Sequence, residues 1–582
     1  MQLTKKMEKI VNGIENDYKK NVRLPGAVTY NAKEEIETEI AYINSEYVGE
    51  YKGDLNWRMF QNIVNQFIDV ELRATAIKRK ILETISLDED YVFSMIFEKE
   101  LHEEFDRIKL SNVIRDFQKS KRVHGNAAIK VLDRDEEYLQ IPDFSLLKFN
   151  AQDIENSPVS EPFELTIVQL DKKRGIWNDE AIDALIKHAD KNKETSCSVE
   201  EIFGEFKESD ITGEVKENEE YKMFRIVVGR TDKLFLLDHY EVKDIKDHIR
   251  FYWRERRPGN LGGKGISVIK EVEPEQIAIN EVVVNRQEAE AITSKVGVRT
   301  NLPNIPGVLQ LNSGFVVEAD SQAGEYFDPV VFNAPQVNFQ NTIDAYFQNA
   351  QRKVAVHESN SGEDIKAGTT YRGQALQNSA TASHFDYMRG IDADDVVEFI
   401  WDFIVVRMVK RINKDHELSA SYSPKQLAII DQYILNRRYN EFLSDLAERA
   451  IDDPTLDLPD EDELDAKMAE LQENQRKKGM RRSVFIPKGF INMKDVKKKV
   501  RIIASSEQDD VQERIDELLS TMERMDPGDP SRVAMQQEIM ELSGVSPAQF
   551  LPQTANGAKG GASQRSKPIT EEVKEVLPEG QQ

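Results

Sequence analysis

Cysteine is almost missing from this 582-residue chain: Cys197 stands alone, so no disulfide can form within it. A lone thiol fits a reducing compartment, and a chain this long buries enough surface to need no covalent or metal staple. Long apolar runs are missing too. The most apolar stretch, Val396 to Met408, is broken by Glu398, Asp402 and Arg407, so no segment is expected to span a bilayer. Met1 to Asn21 is polar, with Lys5, Lys6, Glu8 and Glu15, and lacks the apolar core of a secretory signal. Excess positive charge is also lacking: 78 Lys and Arg face 104 Asp and Glu, for a net charge of −26. That excludes a generally basic protein that coats nucleic acid, because neutralising phosphates takes clustered Lys and Arg.

Catalytic signatures are equally scarce. The glycine-rich segment Gly259 to Gly265 fails as a phosphate loop, since Lys264 is followed by Gly265 and Gly259 sits at the wrong spacing. It reads instead as a tight turn before a helix. The eight histidines form neither H-E-x-x-H nor a Cys/His zinc spacing, so no metal or other cofactor is expected. No G-x-S-x-G is present. One carboxylate pattern matches loosely: Pro142-Asp143, then Asp171-Lys172-Lys173, the P-D…D-x-K arrangement of Mg²⁺-dependent nucleases. In a chain so rich in Asp, Glu and Lys, chance produces such matches, and the expectation is that the protein is not an enzyme.

What is present is helical periodicity with β interludes. From Lys33 to Lys119 the pattern is mostly helical, and Trp57, Phe60, Ile63 and Phe67 fall on one helix face that ends or drifts at Glu71. Ala127–Leu132 and Glu137–Ile141 predict a hairpin, and Phe163, Leu165 and Ile167 alternate as a strand. Asp179–Lys191 predicts a helix, Lys193–Glu220 an exposed acidic loop, and Tyr221–Val228 with Lys233–Tyr240 a second hairpin. Ile249–Trp253 predicts a strand, and a helix is expected from about Pro274 to Lys295. A β-rich excursion over 301–335 and a helix over 336–357 follow. A polar loop over 358–368 leads into one long helix over 369–414, kinked near Gly390. Ser423–Ala450 is helical, 452–465 reads as an acidic linker, and Val484–Ile486 and Val500–Ile503 as strands. Helices are expected over 509–525 and 532–542, and disorder beyond Phe550. The whole is an α+β chain, mainly helical with small β hairpins and sheets.

Two charge blocks stand apart: Asp452 to Asp465 is acidic, and Arg476 to Lys499 is basic. They read first as solvated surface, and otherwise as a means of pairing subunits or touching nucleic acid.

The order of these elements, with several local segments, resembles the portal proteins of tailed double-stranded DNA phages. The segments are VHGNAAIKVLDRDEEYLQI (Val123–Ile141), RRPGNLGGKGISVIKEVEPEQIAINEVVVNRQEAEA (Arg256–Ala291, with Ile279-Asn280), AGTTYRGQALQNSATASHF (Ala367–Phe385) and IASSEQDDVQERIDELLSTMERMDP (Ile503–Pro527). The resemblance spans about residues 30 to 550 and rests on element order more than on any one motif. It implies an N-terminal arm over 1–32, a first wing part over 33–269 and a stem helix over 270–296. A clip over 297–335, a returning stem helix over 336–357 and a tunnel loop over 358–368 would follow. A long kinked wing helix over 369–415, a wing return with a charged insertion over 416–505, a crown over 506–550 and a disordered tail over 551–582 complete it.

The resemblance further implies a ring of about twelve copies around a channel for double-stranded DNA, at one vertex of the capsid. Partners would be the major capsid protein, the large subunit of the terminase motor and a head–tail adaptor, with no membrane. The protein would reside in the virion, and in the host cytoplasm during assembly. Glu281 and Glu288, seven residues apart on one helix face, would form acidic channel rings, and Lys295 a basic one. Ser359, Asn360, Ser361, Gly362, Glu363, Asp364 and Lys366 would make the tunnel loop. Asn304, Asn312, Glu318, Asp320 and Glu325 would meet motor or adaptor. A metal-dependent nuclease and an acidic helical scaffold are the competing classes.

Overall fold

The computed structural model describes residues 5–25, 29–48, 59–77, 82–86, 91–132, 134–213, 219–293, 297–300, 315–318, 327–330, 338–354, 371–415, 417–418, 420–452, 459, 461–478, 491–503, 518–519 and 539. An α/β body comes first. Helix α1 (Lys5–Tyr18) buries Met7, Val11 and Ile14 at helical spacing. Strands β1 (Asn21–Arg23) and β2 (Thr29–Asn31) pair, and Asn31 then caps α2 (Ala32–Ile43), its side chain accepting from the Lys33 and Glu34 N–H groups. Helices α3 (Val64–Ala74), α4 (Tyr91–Ile108) and α5 (Leu110–His124) follow, with strand β3 (Glu83–Ser86) between the first two.

The expected hairpin forms as β4 (Asn126–Val131) and β5 (Leu139–Gln140), and β10 (Ile249–Trp253) adds to the other side of β4. A four-stranded antiparallel sheet lies between these: β6 (Val159–Thr166), β7 (Ser196–Phe206), β8 (Lys222–Arg230) and β9 (Leu234–Glu241), in chain order. Its faces alternate as the pleat requires. Ile202, Phe206, Phe224 and Ile226 pack under α1 and the short α8 (Glu208–Thr212). Cys197, Val199, Val227 and Leu237 pack under α6 (Ile167–Asp171) and α7 (Asp179–Asn192).

The expectation of an exposed loop over 193–220 is therefore wrong, because β7 runs through the middle of that sheet. Its acidic residues concealed it. Glu201 is buried against Lys130 and Arg225, and Glu200 against Ser160, Arg230 and Lys148. These cations come from other strands and a loop, and they offset a desolvation that would exclude a lone carboxylate. Ile167, expected in a strand, instead opens α6 behind a Thr166–Gln169 capping box.

The long α9 (Val268–Thr293) starts six residues before Pro274, which lies inside it. Ser267 sets the start, its Oγ accepting from the Lys270 N–H at 3.1 Å. Strands β11 (Gly297–Thr300), β12 (Phe315–Glu318) and β13 (Phe327–Val330) form one sheet in the order β12-β11-β13. Helix α10 (Phe339–Lys353) returns antiparallel to α9, with Lys353 beside Glu275 at 2.8 Å.

The next helix is continuous through Gly390, where the kink was expected. It runs as α11 (Tyr371–Phe399), passes through π-helical residues 400–405, and continues as α12 (Val406–Asp415). Burial explains the π turn. Val396, Ile400, Ile404, Met408 and Ile412 are all buried, at strict four-residue steps that outrun the 3.6-residue turn of an α-helix. The wider π turn takes up the difference and keeps the stripe on one core, with α4 and α5. Nothing lies within 4 Å of a Cβ built on Gly390. Gly390→Ala is therefore expected to stabilise the protein by about 0.5–1 kcal/mol in urea unfolding. Destabilisation would show that the glycine serves a bend.

Helix α13 (Pro424–Asp452) and α14 (Glu461–Lys478) pack on one another. The acidic run was expected to be linker as far as Asp465, but from Glu461 onward it is the first turn of α14, with Arg476, Lys477 and Lys478 in its last. That polarity complements the helix dipole. Helix α15 (Met493–Lys499) leads into β14 (Val500–Ile503), which pairs antiparallel with β3. The expected strand at 484–486, the helices at 509–525 and 532–542 and the terminal tail lie outside the described residues, apart from residues 518–519 and 539.

Candidate functional site: a paired helix and its charged anchor

The α9–α10 pair is packed along one side of α9 only. Val272, Gln276, Ile279 and Val283 are buried with Ile343, Ala350 and Val354 of α10 and Val64 and Phe67 of α3. The opposite stripe is open: Pro274, Ile277, Glu281, Asn285 and Glu288 recur at three- and four-residue steps and are all exposed. Glu281 and Glu288 thus share one exposed face, as their spacing predicts. Of the other candidates, Glu318 ends β12 opposite Thr300. Lys295, Asn304, Asn312, Asp320, Glu325 and the segment Ser359, Asn360, Ser361, Gly362, Glu363, Asp364 and Lys366 lie outside the described residues.

The base of α9 is tied to the body by hydrogen bonds that sequence reading missed. Gln276 accepts from the Ile63 N–H at 3.0 Å and donates to the Gln61 carbonyl at 2.7 Å. Asn280, one turn on, accepts from the Gln61 N–H at 3.3 Å. These bonds hold the non-helical segment that carries Phe60 and Ile63, where a helix was expected, since α3 begins at Val64. Trp57 lies outside the described residues.

Below that base lies a buried charged hub joining five elements. Glu71 of α3, fully buried, faces Arg122 of α5 at 3.2 Å and Arg254 after β10 at 2.9 Å. Arg254 also reaches Glu271 of α9 at 3.0 Å. Arg122 reaches Asp392 of α11 at 2.6 Å, and Lys121 bridges Asp392 and Asp395, each at 2.6 Å. Gln118 and Thr75 close the circuit, Gln118 donating to Asp392 at 3.0 Å and to the Thr75 carbonyl at 2.8 Å. Glu71 was expected to end the apolar stripe of α3. The stripe continues instead as a buried charge whose partners arrive from distant sequence.

A second cluster fixes the glycine-rich turn. Lys264, fully buried, pairs with Glu39 at 2.7 Å, and Arg257 with Glu35 at 2.6 Å. Glu39 also accepts from Ser267 at 2.7 Å and meets His124 Nδ1 at 3.0 Å. The lysine that suggested a phosphate loop is thus committed to two carboxylates of α2.

Burial pushes the Glu71 carboxyl pKa up, but Arg254 and Arg122 outweigh it and hold it below the usual range. Asp392 is likewise held low, with Arg122 and Lys121 overcoming its burial. Asp395 goes the other way: desolvation outweighs Lys121 and lifts it from 3.8 to about 6. The folded state then binds the proton more tightly than the unfolded chain does. Asp395's relative contribution to stability is therefore fully present below about pH 4 and lost as pH rises through about 6. Asp395→Asn is expected to gain on wild type by up to about 2 kcal/mol between pH 4 and pH 7 in urea unfolding. A pH-independent difference would show that Asp395 keeps an ordinary pKa.

The nuclease pattern is engaged locally. Asp143 accepts from the Ser145 N–H and hydroxyl at 3.0 and 2.7 Å, Asp171 pairs with Arg174, and Lys173 stacks on Trp177. Among the described residues, no group of three His, Cys, Asp or Glu side chains is placed to hold a metal ion. No helix of the described residues is long and apolar enough to cross a membrane.

No protein-family model and no curated protein matches the chain. Among solved structures it is similar to a chain in the neck of an empty GTA (gene transfer agent) particle computed with C6 symmetry. The two are 9% identical, with 64% of this chain and 80% of that one covered, at a TM-score of 0.29. At that score the likeness carries neither fold nor function.

Proposed function

We propose that the protein is a portal-type ring subunit with no catalytic step of its own. Copies would surround a channel through which double-stranded DNA is packaged, retained and ejected, with the terminase motor and later a head–tail adaptor docking at one end. The observation that carries this reading is the order and anchoring of elements. A helix leaves an α/β body, passes through a small three-stranded sheet, returns antiparallel, and the chain then enters a long helix that locks back into the same body. In this reading the α9–α10 pair and its sheet would form the channel segment, rooted by the charged hub.

The exposed stripe of α9 fits a channel lining. Carboxylates repeated around an axis repel phosphates, so a duplex slides without trading counterions for fixed contacts. A closed ring also gives every copy the same two neighbours. Native mass spectrometry tests the reading: a species near twelve chain masses, with a central hole in negative stain, is expected. A protein that remains monomeric or dimeric at all concentrations, alone and with capsid and scaffold present, would overturn it.

A further inference from the structure

The two charge blocks are not absorbed by the channel reading. The start of the basic block, Arg476 to Lys478, ends α14 itself, and its Lys494 to Lys499 end falls on α15, apart from the acidic run. The acidic block lies at the joined ends of α13 and α14. Beyond Leu435 no described side chain of either helix is buried. Over residues 445–465 the sequence carries ten acidic residues and one basic. Asp445, Glu448, Asp462 and Asp465 are exposed there, and none makes an ion pair among the described residues. The second block is a basic face built from α12 and α15, held together by Asn413, which donates to the Ile491 carbonyl at 2.8 Å. Arg407 and Arg411 of α12 are committed, to the Leu132 and Arg134 carbonyls and to Glu104. Lys410, Lys414, Lys494, Lys497 and Lys498 are exposed and have no ion-pair partner among the described residues.

We propose that the acidic α13–α14 hairpin of one copy docks on the basic α12–α15 face of the next. The partner is a second copy of this chain, and the inference rests on the ring reading because a head-to-tail contact of this kind needs closure. Charge complementarity argues for it. Lys410, Lys414, Lys494, Lys497 and Lys498 gather on two joined helices, and Asp445, Glu448, Asp462 and Asp465 on one hairpin, so the two clusters are opposite in sign. A hairpin that buries so little of itself gains most from a neighbour. Opposed charges also fix register and speed encounter, while copies meeting like to like repel. Nucleic acid is the other polyanion a lysine face could take, and the strongly acidic surroundings disfavour it.

The test uses two full-length variants. One carries Lys494→Glu, Lys497→Glu and Lys498→Glu; the other Asp445→Lys, Glu448→Lys, Asp462→Lys and Asp465→Lys. All seven positions are exposed, so both variants are expected to fold, which circular dichroism checks. Each alone should self-associate about ten-fold or more weakly than wild type in sedimentation at low salt, and the wild-type association should weaken as salt rises. Mixed together, the two should regain wild-type association, since each supplies the charge the other lost. Unchanged association of both variants overturns the inference, as does failure of the mixture to recover. Loss of duplex-DNA binding in the lysine variant with association intact would assign the face to nucleic acid instead. Closed rings in wild type and both variants would leave the ring reading standing and this contact refuted. Mutually rescued but open chains would leave the contact standing and the ring reading refuted.

Discussion

Replacing Glu71 by glutamine is expected to cost about 3–5 kcal/mol of stability in denaturant unfolding. The side chain is fully buried and is the common partner of Arg122 and Arg254, whose guanidinium groups are themselves fully buried. Glutamine fills the same space, so no cavity opens. It removes the negative charge that compensates two desolvated cations and leaves Arg122 with Asp392 and Arg254 with Glu271. The consequence reaches function through geometry. Glu271 sits on α9 and Asp392 on α11, so the hub ties the base of α9 and the long helix α11 to the body. Protease susceptibility at the α9–α10 pair should rise in step with the stability loss. A loss below about 1 kcal/mol would show that the hub is hydrated enough to tolerate the change.

Gly265→Ala is expected to be nearly as costly, about 2–4 kcal/mol. Two glycines cross at this point. A Cβ on Gly265 would meet the backbone oxygens of Gly125 and of Glu255, the latter at 2.9 Å. A Cβ on Gly125, whose φ is +70°, would lie 2.7 Å from the Gly265 carbonyl carbon. Neither strand can withdraw. The Gly125 carbonyl accepts from the Arg254 N–H at 3.0 Å, and the Gly265 N–H donates to Asn126 at 2.6 Å. Gly175 is the control: its φ is +78° but its Cβ would meet nothing within 4 Å. Gly175→Ala should therefore cost only the left-handed penalty, about 1 kcal/mol. A loss at Gly265 no larger than that at Gly175 would show that the crossing yields to an added methyl.

Much of the fold was legible because its signals are local. Ile249–Trp253, rich in aromatic residues, forms β10, and the hairpins at 126–140 and 222–241 follow their turn residues. The departures share a cause. Strand β7, the buried Glu71 and the role of Lys264 each depend on a charge whose partner lies 24 residues away in the nearest case and over 180 for Arg254. No window of local pattern contains that partner. The π turn did leave a local trace, the strict four-residue apolar step from Val396 to Ile412, on which the expected kink at Gly390 did not draw. Of the candidate channel residues, the spacing of Glu281 and Glu288 was enough to put them on one face, and the exposed stripe agrees. The anchors Gln276 and Asn280 were hidden because an amide in a helix reads the same whether it meets water or backbone.

Imaging the assembled protein at a resolution that shows side chains tests the channel reading most directly. A closed ring is predicted, its lumen lined by α9 with Glu281 and Glu288 of every copy facing the axis and the hub of Glu71, Arg122 and Arg254 at the root of each helix pair. A ring whose lumen is lined by other elements, or particles with no lumen at all, would contradict it.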